Sequence, residues 1–439
     1  MTYREAIDYL GSFVNYEKQS GYDYKGSFRL ERMSKLAGLL GSPQNDIKSI
    51  HVAGSKGKGS TSVFIQSILK EAGFKTGLYT SPHLVSFRER IRINDSLISE
   101  EDLSRLLEKV KAAVDRLDDK PTFFEVYTAI AYLYFKENNV DFAVYEVGLG
   151  GRLDATNIIE PLVCAITPIS YEHTDILGRT LKEIACEKAG IIKKDSICVI
   201  APQDKEALDA IKDISKKSNA RLIVVGKDIL FKELKAAEES ERFSISGLSD
   251  KYPALETKLL GSHQIVNAAT AIGVIDGLRL RGITIPAKAI KGGIKNARWE
   301  GRLEVMSKTP LVILDGAQNK ASASSLSIAI KKRFKYKNII LVLGISKDKD
   351  IKGILEELLP MAGTVILTKA CIKERACEPS DIKRFIDTKD KNIFLTSGVE
   401  EALAKAIALT AQEDLILITG SLFVVGEARD MLTRQYAKI

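Results

Sequence analysis

Short apolar runs rich in Val and Ile recur along nearly the whole 439-residue chain, each separated from the next by a helical pattern. Residues 50–53, 142–145, 162–167, 197–201 and 222–225 are such runs. They are apolar on both faces, which a strand tolerates only when helices cover both sides of its sheet. The fold class is therefore α/β, a doubly wound, mostly parallel sheet. Periodicity lapses between Gly292 and Arg298, and Trp299 leads into a fresh series of strands and helices. This divides the chain into residues 1–297 and a smaller unit, 298–439, of ordinary domain size. Residues 226–258, with mixed charges and Gly247, read as hairpins. Thr180-Leu181-Lys182-Glu183 reads as a capping box, and Gly190 as the left-handed glycine that ends its helix.

Composition excludes several classes. No apolar run approaches the ~18–20 residues of a membrane-spanning helix, so no membrane partner is expected. Arg4 and Glu5 stand where a secretory leader needs apolar residues. The five cysteines form no C-x-x-C pair, and an odd count suits reduced thiols in the cytoplasm. The net charge of +8 points to anionic partners. Its densest run, Lys331-Lys332-Arg333-Phe334-Lys335-Tyr336-Lys337, is either a nucleic-acid arm or the end of a helix. The apolar run 339–343 directly behind it favours the helix end, where cations meet the dipole.

The chemistry begins at the run 50–53, which leads into Gly54-Ser55-Lys56-Gly57-Lys58-Gly59-Ser60-Thr61 and then a helical pattern. Strand, glycine loop and helix start together let backbone N–H groups surround a phosphate, with Lys58 adding a mobile charge. The spacing departs from the strict Walker pattern, having two residues where that pattern has four between its glycines. Magnesium bound to such phosphates needs oxygen ligands at neighbouring strand ends. Glu146 ends one strand, and Glu172-His173 follow the next. Taken singly, Glu146 has a solvated strand end as its plainer alternative, while His173 reads first as a loop hydrogen bond and Lys188 as a helix-end charge.

Together these segments resemble the folylpolyglutamate synthase/dihydrofolate synthase family of the Mur-ligase superfamily. The likeness is carried by the 51–61 loop, Tyr79-Thr80-Ser81-Pro82-His83-Leu84 and the 146–157 segment. Glu187-Lys188-Ala189-Gly190, Gly261-Ser262-His263-Gln264 through Asn267, Trp299-Glu300-Gly301-Arg302, Leu314-Asp315-Gly316-Ala317, Lys347-Asp348-Lys349-Asp350 and Thr419-Gly420-Ser421-Leu422 extend it. All four histidines, His51, His83, His173 and His263, fall in or beside these motifs.

The resemblance implies an ATP-binding domain, a Rossmann-like C-terminal domain and an active site in the cleft between them. Gly54, Ser55, Lys56, Gly57, Lys58, Gly59, Ser60 and Thr61 would hold ATP, with Asn267, Arg302 and Asp315. Ser81, Glu146, His173 and a carbamylated Lys188 would ligate two magnesium ions. Lys58, Glu146, His173 and Lys188 would form the catalytic group. Phe124, Arg152, Asp154, Gln318 and Ser421 would face the pteroate or folate and the incoming glutamate. Three departures stand out: Ser55-Lys56 in the loop where the family commonly has Thr-Asn, Glu172 in place of Asp, and Gln318 in place of His.

The implied activity is ATP-dependent amide ligation of L-glutamate to dihydropteroate or a reduced folate by a cytoplasmic monomer, without nucleic acid. Another Mur-type amino-acid ligase is one alternative. A P-loop ATPase that binds nucleic acid is another, though it leaves Ser81, Glu146 and His173 arriving together unexplained.

Overall fold

Residues 1–17, 24–235, 239–371, 375–387 and 391–436 are described by the computed structural model of the chain. The Val- and Ile-rich runs all become strands. An eight-stranded sheet runs in the order Ser96–Leu97, Ile91–Ile93, Thr76–Tyr79, Phe142–Glu146, Lys48–Ala53, Val163–Ile166, Ile197–Ile200, Arg221–Val224. Its last six strands are mutually parallel, and the first two form an antiparallel edge. Alternate residues face opposite layers, as strand pleating requires. Ile50 and Val52 pack with Phe64 and Ile68 of helix Lys58–Glu71 and with Ile272 of helix His263–Leu280. Ala53, Ile166 and Ile200 face helices Leu181–Ala189 and Lys205–Lys217 on the other side.

Residues 226–258 hold a three-stranded antiparallel sheet with Glu241–Ser246 between Leu230–Glu233 and Lys251–Thr257. A six-stranded sheet follows, ordered Glu304–Lys308, Leu311–Leu314, Leu415–Thr419, Ile339–Leu343, Thr364–Leu367, Asn392–Leu395. All but its first strand are parallel. No helix among the described residues is long and apolar enough to cross a membrane. The basic run 331–337 closes helix Lys320–Arg333 and precedes Ile339–Leu343. Its Lys332 pairs with Glu233 and its Arg333 with Glu241, so these cations are taken up within the protein.

Local chemistry explains several helix starts. The Thr180 hydroxyl accepts from the Glu183 N–H at 3.2 Å, and Glu183 accepts from the Thr180 N–H at 3.0 Å. Gly190 differs from the expectation. It has a right-handed φ of −61°, and a Cβ there would lie 2.5 Å from Cα of Arg152. Glycine is needed for a close crossing of two chain segments, with no left-handed turn involved. Gly190→Ala should therefore destabilise by about 1–3 kcal/mol through overpacking, lowering the urea midpoint without changing the slope.

His51 is fully buried on the central strand, and its Nε2 lies 2.8 Å from the Thr156 hydroxyl. Burial, helped by Lys193, pushes its pKa down from 6.5 to about 3. Between those values the unfolded chain binds the proton and the folded chain does not, so stability falls as pH drops through this window. His51→Gln should make the stability-against-pH slope between pH 4 and 6 shallower by about 1.4 kcal/mol per unit. Parallel slopes for the two proteins in pH-dependent unfolding would count against a neutral buried imidazole.

Candidate active site

The phosphate loop leaves the carboxyl end of Lys48–Ala53, at the middle of the eight-stranded sheet, where open α/β sheets gather ligands. Gly54 has φ +147°, and a Cβ on it would meet Oγ1 of Thr167 at 1.8 Å. The N–H groups of Ser55 and Lys56 donate to the Pro168 carbonyl at 3.1 and 3.2 Å, which holds the loop to the next strand's end. Gly57, at φ +80°, starts helix Lys58–Glu71, and a Cβ there would lie 2.2 Å from Oδ1 of Asn267. Having no side chain, Gly57 leaves the first turn of the helix open to a ligand. Lys58 folds back over the loop and donates to the Gly54 carbonyl at 3.0 Å. Trp299, the first residue of the second strand–helix series, packs its ring against Gly59, and Arg92 stacks on that ring at 5.5 Å.

Charged groups at the next strand ends crowd the same spot. Glu146, 5% exposed, accepts from the Ser81 N–H at 3.2 Å. Burial raises its pKa, while Lys58 and, from the second domain, Arg302 pull it back. His173 sits in a left-handed conformation after strand Val163–Ile166. Burial, then the charge of Lys349, lowers its pKa to about 4, so the imidazole is neutral near pH 7. Lys188 is buried at 1% exposure and donates to Glu172 at 2.7 Å and to the Gly54 carbonyl at 2.9 Å. Burial pushes the Lys188 ammonium down while Glu172 opposes the shift. Burial would raise Glu172, but Lys188 and Lys58 outweigh it and hold the carboxyl low.

Among the described residues, no three His, Cys, Asp or Glu side chains gather as a metal cluster. Magnesium that arrives with a nucleotide needs only one or two protein carboxylates, because phosphates and water complete its shell. Glu146 beside Ser81 and the phosphate loop fits that requirement. A carbamate on Lys188 would put an anion where the ammonium now faces Glu172, and such a pair is stable only around a cation.

These groups line one cavity of ≈ 520 Å³ built from both domains. Gly54 through Ser60, Ser81, Phe124, Glu146, Asp154, His173, Lys188 and Asn267 come from the first domain, and Arg302, Asp315 and Gln318 from the second. Asp315 accepts from the Leu303 and Ala317 N–H groups, both at 2.9 Å, and so fixes the turn that carries Arg302. Burial raises the Asp315 carboxyl, with Arg302 opposing. Asp154 is equally occupied in building its loop, accepting from Leu149 at 2.9 Å and Thr156 at 3.0 Å.

Three expected residues do not line the cavity. Thr61 is buried one turn into its helix, and Arg152 pairs outside with Glu187 at 2.8 Å. Ser421 is buried and accepts from the Phe423 N–H at 3.3 Å. Two cations line it that were not expected there, Lys349 of the 347–350 motif and Arg375 outside every motif, held by Asp348 at 3.3 and 2.5 Å. Val14 through Glu17 also line it. Glu17 accepts a bidentate pair from buried Arg90 at 2.8 and 2.5 Å, a long-range contact with no local signature. The arrangement is a chamber with the glycine- and lysine-bearing loop on one wall and cations of a second domain on the other.

The Mur ligase middle domain family model matches residues 52–275, and the Mur ligase glutamate ligase domain model matches 301–422. The dihydrofolate synthase/folylpolyglutamate synthase of Bacillus subtilis is 36% identical over 409 residues, covering 92% of this chain and 94% of that protein. Among solved structures, Mycobacterium tuberculosis folylpolyglutamate synthase complexed with ADP superposes with a TM-score of 0.90 at 30% identity, covering 98% of both chains. E. coli FolC in complex with DHPP and ADP gives 0.88 at 29% identity, covering 99% of each. With both domains matched in order and likeness along nearly its whole length, the chain belongs to the dihydrofolate synthase/folylpolyglutamate synthase family of Mur ligases.

Proposed function

We propose that the chain is an ATP-dependent ligase that joins L-glutamate to the carboxylate of dihydropteroate, of a reduced folate, or of both. The observation that carries this reading is the single cavity in which Lys58 and Glu146 of the first domain face Arg302, Lys349 and Arg375 of the second. The names of the relatives agree with it. Residues 1–297 then form the ATP-binding domain and residues 298–439 the glutamate-ligase domain. Both halves of the site come from one chain, consistent with action as a monomer. Five free cysteines and the need for ATP fit the cytoplasm.

A carboxylate does not acylate an amine unaided, because oxide is too poor a leaving group. In the proposed sequence the carboxylate oxygen attacks the γ-phosphorus, the bond to the β–γ bridging oxygen breaks, and ADP leaves. The deprotonated α-amine of glutamate then attacks the acyl carbon, loses its remaining extra proton and expels phosphate. Phosphoryl transfer of this kind depends mainly on positioning and charge neutralisation. The loop N–H groups and Lys58 hold the phosphates, Asn267 and Arg302 the nucleotide, and Phe124 and Asp154 border the pterin. Lys349, Arg375 and Gln318 face the glutamate, Gln318 by hydrogen bonding alone because it cannot titrate. Ser81 and Glu146 would hold one magnesium ion, and His173 with a carbamylated Lys188 a second; when bound, they would supply charge neutralisation on the phosphates. Closure of two domains over the chamber keeps water from the acyl phosphate.

ATP-dependent incorporation of labelled glutamate, measured separately with dihydropteroate and tetrahydrofolate, tests the assignment. Amide should form with at least one, and ¹⁸O placed in the substrate carboxylate should appear in the released phosphate. Incorporation with neither would move the chain to another Mur-type substrate. Lys58→Ala should lower kcat by about 10³-fold, the scale of losing a preorganised charge on the transition state. Steady-state phosphate release against ATP concentration reads this out.

A further inference from the structure

One buried ion pair takes no part in the chemistry above. Arg333, at the last turn of helix Lys320–Arg333, is 5% exposed in its side chain, and Glu241 of the three-stranded sheet is 2% exposed. Their Nη1 and Oε1 atoms are 3.0 Å apart, and Nη2 of Arg333 donates to the Ser240 carbonyl at 2.6 Å. Oε1 of Glu241 also accepts from the Gly261 N–H at 2.6 Å. Gly261 lies two residues before helix His263–Leu280, whose Gln264 and Asn267 line the cavity and bond each other at 2.9 Å. Leu260, the preceding residue, is buried inside the hydrophobic core of the second domain.

The covalent connection near residues 297–303 leaves a rigid body free to rotate, and a second fixed contact removes that freedom. We propose that Glu241 and Arg333 are positioning residues for ligation, forming a buried joint between the domains on the side away from the contacts that Leu84 and Glu17 make with the second domain. Glu241 sets the start of the helix that carries Asn267, and Arg333 anchors the helix whose opposite end presents Asn319, Ser322 and Ser325 to the cavity. At 1.5 Å per residue this 14-residue helix spans about 21 Å, so a small angular error at the joint becomes a displacement at the site. Neighbouring pairs, Lys332 with Glu233 and Lys308 with Glu239, are more exposed and add little. Removing one partner of the buried pair strands a charge, so the contact resists gradual loosening. The inference rests on the proposed ligase function, because it concerns the step that needs both domains.

The test uses the full chain with Glu241→Gln, Arg333→Met and Arg333→Lys. Calorimetric ADP binding, kcat for glutamate ligation and phosphate released per amide formed are measured with the substrate the wild type accepts. The expected result for Glu241→Gln and Arg333→Met is unchanged ADP affinity, kcat lower by about 10- to 100-fold and a phosphate-to-amide ratio above one. Arg333→Lys should recover part of the coupling. Wild-type kcat and ratio in both variants overturn the inference. So does a loss of ADP binding in step with thermal stability, which marks a purely structural pair. Should Arg333→Met fail to fold, Glu241→Gln, which keeps size and an acceptor oxygen, decides between the same outcomes. A wild-type protein that forms no amide with either substrate would sink the proposed function, and the inference with it.

Discussion

Glu146 and Lys188 are an acid and a base buried at 5% and 1% exposure within one small chamber, together with neutral His173 and ion-paired Glu172. Removing such groups from water costs several kcal/mol each unless opposite charge or a hydrogen bond replaces the solvent. The protein meets this requirement by making each charge the neighbour of another. Lys58 lies beside Glu146 and Glu172, and Lys188 beside Glu172 and the Gly54 carbonyl. Part of the field comes from the other domain, Arg302 acting on Glu146 after Lys58 and Lys349 acting on His173. The first domain pairs its own buried charges, and the second adds cations to the same chamber.

What could be read from the sequence divides along the same line between local and distant causes. The strands of the parallel sheets announce themselves because burial on both faces leaves unbroken Val and Ile runs, and their observed ends differ by a residue or two. The phosphate loop is equally plain, since glycine, lysine and helix start are neighbours in the chain. The mixed charges of 226–258 indicated hairpins but not a three-stranded sheet, because register depends on partners far away.

The site itself was readable only in part. Lys58, Glu146 and His173 lie together as their strand ends suggested, and Lys188, which by itself read only as a helix-end charge, joins them. Arg152 and Ser421 sit in the right segments but turn to Glu187 and to the Phe423 backbone, a choice of rotamer and loop path that no spacing encodes. Lys349 and Arg375 enter through a fold-level juxtaposition, with Asp348 aiming both. Gly190 shows the opposite failure: a glycine after a helix suggested a turn, whereas a distant chain crossing explains it.

The burial of Leu260 has a bearing on how this architecture can be taken apart. By sequence it belongs to the first half of the chain, yet its side chain fills space among Leu303, Leu326 and Ile330 of the second. A cut at the linker would leave a void in one half and an exposed leucine on the other, with the cavity penalty that core truncations carry. The two halves are modules in topology, but not in packing. Any scheme that recombines them with halves of other ligases must carry such side chains across the seam, Leu84 as well as Leu260.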